Sequence, residues 1–534
     1  MAYWCKNCQV PVLGRICHRC GTKLRLSFPD KAVPVFKEEI ELLNKLTGED
    51  LNFEDCDLWT AHRCYYYQGE KIFKIEGGNL FERPKLKWLT SERKLKTGYF
   101  SKENLILANL PYLKELEYKA ILFIQEIREK FSDSPLWTVA FSGGKDSAVV
   151  SHLVRKAFGT NEILHIFVDT TMELPPTYEY VEAFRRYYNV PLIKVQADKD
   201  FKEMWEKAGP PSRIHRWCCT IFKTGPYDNF LKDMGENNNK KVISISGIRA
   251  CESLGRKQKY TYISLDNKVH TNIIICPILK WKDLPLWIYI FLEQIYFNNA
   301  YIYGLRRVGC CICPFASDWS EMIINQIFPE KAKVFIRMLF KYTQYRNIKK
   351  QKDYIAKGQW KKRAGGIGLD DKILRLKSEE CFKEKWVYFY TLSKEINGFF
   401  FELFKPFGEI RLIGKNGDMQ TYLIISPSLT PLFLIEILDK NYIKLRIIGG
   451  KNQNGKIRLK KQFENQMAKF QNCILCGACT SVCEQSAIKI NEKYTIDAEK
   501  CRHCLKCVYV DDMGCTIADS LYIKSRREYS VRSI

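Results

Sequence analysis

The stretch Phe141-Ser142-Gly143-Gly144-Lys145-Asp146-Ser147 constrains this chain more than any other. The apolar run Leu136-Trp137-Thr138-Val139-Ala140 before it reads as a buried strand. Ala148 to Val154 after it continues as an apolar-faced helix. Strand, glycine turn and helix start therefore follow one another. Two glycines let backbone N–H groups turn toward an anion, and a helix N-terminus adds partial positive charge. Lys145 adds a full charge, and the Ser142 and Ser147 hydroxyls add donors. Together they make a phosphate cradle, distinct from the Walker pattern with its four residues between glycines and its Gly-Lys-Ser/Thr ending.

Residues 116–345 alternate between the two element types. Expected strands are Trp137–Phe141, Ile163–Val168, Leu192–Val195, Val242–Ser246 and Ile273–Cys276, with helices such as Thr177–Tyr188 and Leu286–Gln294 between them. Alternation of this kind predicts an α/β fold, a parallel sheet with helices on both faces. Ligands then sit beyond the carboxyl ends of strands at a switch point. Asp169-Thr170-Thr171 and Gly247-Ile248-Arg249-Ala250-Cys251-Glu252-Ser253-Leu254-Gly255-Arg256 both fall at such ends.

The stretch resembles the PP-loop of the ATP-pyrophosphatase superfamily, and the wider pattern resembles phosphoadenylyl-sulfate (PAPS) reductases. That family carries a PP-loop, an Asp-Thr-Gly-like strand end, a Gly-x-Arg-x-x-Glu-Ser-x-x-Arg loop and a late Gly-Cys-x-x-Cys-Pro. Here these are Ser142–Ser147, Asp169–Thr171, Gly247–Arg256 and Gly309-Cys310-Cys311-Ile312-Cys313-Pro314, in the same order. The resemblance implies a nucleotide site of Ser142, Gly143, Gly144, Lys145, Asp146, Ser147, Asp169, Gly247, Arg249, Glu252 and Ser253. Adenine and ribose would lie near Asp169 and phosphates on the loop. Lys145, Arg249 and Arg256 would be the catalytic cations, the forked guanidiniums of Arg249 and Arg256 suiting a sulfate or phosphate. ATP, adenylyl sulfate or PAPS is the implied nucleotide, with magnesium as a candidate companion ion.

Cysteine usage sets the redox chemistry. The chain has 22 cysteines, most in Cys-x-x-Cys spacings, which in a long chain without a secretion signal read as metal ligands. Met1-Ala2-Tyr3-Trp4-Cys5-Lys6 has no apolar core of a signal, and the uncharged run Met419–Ile435 is interrupted by Ser426-Pro427 and Thr430-Pro431. A cytoplasmic protein without a membrane partner is expected. Residues 1–25 carry Cys5-x2-Cys8 and Cys17-x2-Cys20, a tetrahedral pattern for zinc, with a rubredoxin-like iron as the alternative. A segment this short takes its folding energy from the ion. It resembles a zinc ribbon, a module used for docking, in some cases onto RNA.

Residues 466–534 repeat the theme: Cys473-x2-Cys476-x2-Cys479-x3-Cys483 and Cys501-x2-Cys504-x2-Cys507-x7-Cys515. This is the bacterial two-cluster ferredoxin pattern, in which the fourth cysteine of each run serves the other [4Fe-4S] cluster. Cys473, Cys476, Cys479 and Cys515 would hold one, and Cys501, Cys504, Cys507 and Cys483 the second. Glu484 stands where proline is usual. Arg216-Trp217-Cys218-Cys219-Thr220 with Cys310-x2-Cys313 resembles the single [4Fe-4S] site of adenylyl-sulfate reductases, so Cys218, Cys219, Cys310 and Cys313 are candidates for a third cluster. Cys56, Cys64, Cys251, Cys276, Cys311 and Cys381 remain unassigned.

Between these modules, residues 26–115 read as a small β-rich module with a Tyr65–Ile75 hairpin and a basic stretch, Asn79–Lys96. Residues 346–465 read as a basic linker followed by a small α/β module with strands Glu409–Leu412, Tyr422–Ile425 and Ile443–Ile448. Trp360-Lys361-Lys362-Arg363-Ala364-Gly365-Gly366 looks like an exposed positive face.

Two functions compete. One is an iron–sulfur redox enzyme of the PAPS reductase family, acting on an adenylyl sulfate or related nucleotide, with electrons entering through its ferredoxin module from a donor. The other is an ATP-dependent sulfurtransferase thiolating tRNA or DNA. Lys+Arg 85 against Asp+Glu 60 gives +25, which suits a polyanionic partner. Tyr522–Ile534 holds no cysteine, whereas sulfate-assimilating reductases end in Glu-Cys-Gly with a nucleophilic cysteine. That difference favours the transferase. A nucleotide-sensing module without chemistry would leave the clusters unexplained.

Overall fold

The computed structural model describes residues 1–90, 100–131, 135–213, 215–266, 269, 272–362, 376–508, 515 and 523–525. The chain forms two compact units. The first is Met1–Val195 with Leu231–Phe340 and Lys350–Gly358; the second is Gln196–Phe230 with Lys341–Lys349 and Gln359–Ile534.

The first unit is built around a six-stranded sheet. Its order is Leu192–Gln196, Leu164–Asp169, Leu136–Ala140, Val242–Ser246, Asn272–Ile275 and Ile263–Leu265. Leu136–Ala140 pairs in parallel with Leu164–Asp169 on one side and Val242–Ser246 on the other, and Val242–Ser246 pairs in parallel with Asn272–Ile275. Strand order reverses between Leu136–Ala140 and Val242–Ser246, the switch point at which such sheets bind ligands. The expected strands stand within a residue or two of these. Ile263–Leu265 is an addition, a three-residue antiparallel edge too short to be visible as a period.

The helix Lys145–Phe158 buries Ala148, Val149, Val150, Leu153, Val154 and Ala157 against the sheet, and Gly159 ends it in the left-handed conformation. At about 1.5–3 kcal/mol for each fully buried large aliphatic side chain, this face anchors the helix start that the site uses. Lys102–Lys130 runs across residue 115 and is tied to its neighbours by charge. Glu117 and Glu293 share Lys114 and Lys156, and His152 Nε2 stands 3.2 Å from Glu293. The His152 bond comes first among the causes holding the Glu293 carboxyl below its ordinary range; burial opposes it, and the two ammonium groups reinforce it.

The N-terminal part of this unit has a three-stranded sheet, Val10–Val12, Ala2–Cys5 and Ser27–Phe28. A five-stranded antiparallel sheet follows, with strands Val33–Pro34, Leu58–Ala61, Cys64–Tyr67, Glu70–Gly77 and Pro84–Trp88. The Cys64–Gly77 hairpin turns at Gln68 and Gly69, with φ 48° and 84°. Two consecutive positive φ values match the right-handed twist of the strands they join. Fully buried Glu39 accepts from Tyr65 Oη at 2.6 Å and from Arg306 Nη1 at 3.0 Å, which fixes this sheet to the segment before Cys310.

The second unit contains a seven-stranded sheet ordered Glu409–Asn416, Met419–Ile425, Pro431–Asp439, Tyr442–Ile447, Val387–Thr391, Leu376–Glu380 and Ile523–Ser525. It is antiparallel except at its last pair. The helix Gln453–Asn472 packs Phe463, Met467 and Phe470 with Tyr390, Phe404 and Phe433. Pro431 opens a nine-residue strand here, since a first strand position tolerates proline. The reading of Lys361 as exposed is corrected: it is 2% exposed, and its carbonyl accepts from Arg213 N at 2.8 Å. Its neighbour Trp360 is a core residue. Residues 91–99, with Arg93, Lys94 and Lys96, and residues 363–375, with Arg363 to Gly366, lie outside the described set. Among the described residues no helix is long and apolar enough to cross a membrane.

Candidate functional site

The glycine loop leaves the carboxyl end of Leu136–Ala140 and feeds the first turn of Lys145–Phe158. Gly143 has φ +71°, and a Cβ there would stand 2.9 Å from Thr177 Cγ2. Only glycine combines that backbone with that clearance. The loop is held from within by Ser147 Oγ, which accepts from Ser142 N at 3.2 Å and donates to Gly144 O at 2.9 Å. It is held from outside by two residues that sequence reasoning missed. Asn298, fully buried, donates to Gly143 O at 3.0 Å and to Thr177 Oγ1 at 3.2 Å. Tyr301 Oη accepts from Lys145 N at 3.0 Å.

Behind the loop lies a four-charge cluster. Lys145 and Arg249 are 2% and 1% exposed. Arg249 Nε stands 2.5 Å from Asp146 Oδ1 and its Nη2 2.8 Å from Asp283 Oδ1. Lys145 Nζ is 3.2 Å from Asp146 and 3.9 Å from Asp283. Burial would pull the Lys145 ammonium down, but Asp146, Tyr301 and Asp283 outweigh it and leave it above its ordinary value. Burial would likewise raise the Asp146 carboxyl, and Lys145 and Arg249 reverse that. Two cations thus face two carboxylates, and their formal charges cancel. Charge for an incoming phosphate then comes from the helix terminus and loop amides.

The Gly247 loop closes on this group. A Cβ on Gly247 would lie 2.9 Å from Asp146 C and 3.0 Å from Ser147 N, so two backbones touch at the switch point. Beyond it, Cys251 Sγ accepts from Arg249 Nη1 and donates to Trp281 O, both at 3.3 Å. Glu252 pairs with Arg256 and lies 3.7 Å from Arg307. Ser253 caps the short turn of helix that follows. On the adjacent strand end, Asp169 Oδ1 accepts from Thr171 N at 2.7 Å and Tyr178 Oη at 2.9 Å. Cys310 Sγ lies 3.4 Å from Thr170 Oγ1, beside the same strand end. Cys310 and Cys313 are in the first unit; Cys218 and Cys219 are in the second.

The remaining cysteines gather as sets. The four Sγ atoms of Cys5, Cys8, Cys17 and Cys20 lie within 4.8 Å of one another, with Cys5–Cys20 at 3.6 Å and Cys8–Cys17 at 3.7 Å. A tetrahedral ion with metal–sulfur bonds near 2.3 Å requires sulfurs about 3.8 Å apart, so this set fits a four-thiolate ion, zinc or iron. Cys483, Cys501, Cys504 and Cys507 line one cavity, walled by Val482, Ile488, Ile496 and Leu505. Cys515 lies within electrostatic reach of Cys473, Cys476 and Cys479. Leu475, His503 and Leu505, each inside a Cys-x-x-Cys, have positive φ, which turns the backbone around the thiols. Glu484, in the place of the usual proline, pairs with Lys506.

Two uncharacterized proteins of Methanocaldococcus jannaschii are similar to the chain. One is 27% identical over 67% of this chain and 95% of its own length. The other is 30% identical over 52% of this chain and 64% of its own. An adenosine 5′-phosphosulfate reductase of Bacillus subtilis is 29% identical over 33% of this chain and 72% of its own. Residues 137–316, the span that carries the glycine loop, Asp169, the Gly247–Arg256 loop and Cys310–Cys313, match the phosphoadenosine phosphosulfate reductase domain.

Proposed function

We propose that the switch-point site binds an adenine nucleotide and that the chain reduces adenylyl sulfate or its 3′-phosphate. The observation carrying this reading is that the Ser142–Ser147 loop and Gly247 touch at the switch point, with Asp169 ending the neighbouring strand, inside the span that matches the reductase domain. In this reading the loop amides and the Ser142 and Ser147 hydroxyls receive the phosphate. Asp169 faces the ribose. Lys145 and Arg249, balanced by Asp146 and Asp283, brace the loop from behind, and Arg256, one-third exposed, meets the sulfate.

Reduction adds two electrons to the bond between sulfur and the bridging oxygen. That bond breaks, AMP leaves with the oxygen, and sulfur drops from the sulfate to the sulfite oxidation level. The electrons come from an external low-potential reductant. Cysteine-ligated cubane clusters exchange electrons singly when bound, and the ferredoxin-like cysteine sets are fitted to hold two of them. A zinc ion on Cys5, Cys8, Cys17 and Cys20 would be structural.

The second reading, an ATP-dependent sulfurtransferase acting on tRNA or DNA, uses the same nucleotide site. It is favoured by the cationic N-terminal segment described below. Anaerobic turnover separates the two. Sulfite released from adenylyl sulfate with reductant, unaffected by RNA or DNA, supports the reductase. Thiolated nucleotides formed only with ATP, a sulfur source and nucleic acid overturn it.

A further inference from the structure

We infer that the N-terminal cysteine segment is a docking surface for single-stranded nucleic acid. From Met1 to Pro29 the chain has no aspartate or glutamate and carries Lys6, Arg15, Arg19, Lys23 and Arg25. All five cations are exposed. A zinc ion on four thiolates carries two net negative charges, so the segment stays positive with the ion bound. Some lysines elsewhere in this unit face a carboxylate, as in Lys37–Glu54 and Lys74–Glu76. Among the described residues Lys6, Arg19, Lys23 and Arg25 make no ion pair. Four exposed cations without an ion pair in one short segment raise a local positive potential that suits a polyanion.

The local backbone places Lys23 and Arg25 on one exposed face with Ile16 and His18. Ile16 and Lys23 are directly opposed in an antiparallel bridge, and Leu24 N donates to Arg15 O at 2.7 Å. Cys17 and Leu24 point inward while Ile16, His18, Lys23 and Arg25 are exposed, the alternation of extended chain. The His18 ring stands edge-on to Tyr112 at 4.8 Å, and Ile16 is 48% exposed beside them. Cations interleaved with flat and apolar groups suit a strand whose bases are free to stack, more than a duplex whose bases are not. The face is rigidly mounted. Asn109, fully buried in the helix Lys102–Lys130, accepts from Leu13 N and donates to Pro11 O, both at 2.8 Å.

The test uses the full metal-loaded chain without nucleotide and a fluorescein-labelled single-stranded RNA of about twenty nucleotides. Arg19→Glu, Lys23→Glu and Arg25→Glu together are expected to weaken binding at least tenfold. They should also flatten the salt dependence by about two in log–log slope, at about 0.7 for each phosphate no longer neutralised. The conservative pair Arg19→Lys and Arg25→Lys should keep the slope. Zinc content and adenylyl sulfate affinity should be unchanged in both variants, which separates this inference from the nucleotide-site reading. Equal affinity and slope in the charge-reversed chain would overturn the inference. So would tighter binding to duplex of the same length, or equally effective competition by poly-glutamate.

Discussion

Arg249 Nη2 lies 2.8 Å from Asp283 Oδ1, which makes Asp283, the first residue of its helix, part of the nucleotide loop's charge cluster. Removing one partner of a buried pair costs about 3–5 kcal/mol. Arg249 keeps Asp146, and the Asp283 side chain is 25% exposed, so Asp283→Asn is expected to cost less, about 1–3 kcal/mol. The same change leaves the cluster with a net positive charge. Thermal unfolding of the nucleotide-free protein should fall while calorimetry shows severalfold tighter binding of adenylyl sulfate. Weaker binding would mean that Asp283 serves the ligand directly.

Gly247→Ala tests the backbone contact at the switch point. Its Cβ would meet Asp146 C at 2.9 Å, Asp146 O at 3.0 Å and Ser147 N at 3.0 Å, all backbone atoms that no rotamer change can move away. Either the Gly247 loop or the glycine loop must shift. Nucleotide affinity should fall by at least tenfold, with a stability loss of about 1–3 kcal/mol, the range of overpacking. Wild-type affinity in the variant would show that the glycine loop receives no phosphate.

Much of the site was legible because it is local. Ser142–Ser147 and the strand before it lie within a dozen residues, and glycine, lysine and serine there have few other uses. The Gly247 loop and Asp169 follow strands whose apolar runs betray them. Asn298, Tyr301 and Asp283 were not legible. They reach the loop from 155, 156 and over a hundred residues away, and each resembles an ordinary cap or core aromatic in its own segment. Lys361 was misread because a basic run looks solvated in sequence. Its place is set instead by the buried Trp360 ring and a backbone bond to Arg213.

His165 predicts a pH dependence. It is fully buried on the strand Leu164–Asp169, with Nδ1 facing Ile163 O and Nε2 facing Ser151 Oγ, both at 2.7 Å. A carbonyl can only accept, so Nδ1 carries the proton and Nε2 accepts from the serine. Burial pulls its pKa down to about 4 from 6.5, against the bond to Ile163. Between those values the unfolded chain binds a proton that the folded chain refuses. The stabilisation is therefore complete above pH about 6.5 and is lost as pH falls toward 4, by about 3 kcal/mol. Acid-induced loss elsewhere is common to wild type and His165→Asn, so the difference between their stability curves isolates this group. That difference should narrow on acidification. Parallel curves would show that His165 is protonated in the fold or reached by water.

The two cysteine runs near the end predict a crossed pattern of loss. If Cys483 completes the set of Cys501, Cys504 and Cys507, then Cys483→Ser and Cys501→Ser strike the same centre. Each should lose about four iron atoms, and the double variant no more than either alone. Cys483→Ser with Cys515→Ser should lose about eight, because Cys515 stands with Cys473, Cys476 and Cys479. Anaerobic metal analysis and low-temperature electron paramagnetic resonance of the reduced protein measure both. The wild-type chain should hold about one zinc on the N-terminal set and about eight iron atoms on these two. Additive loss in the Cys483→Ser, Cys501→Ser double variant would place the two cysteines on different centres and break the ferredoxin assignment itself.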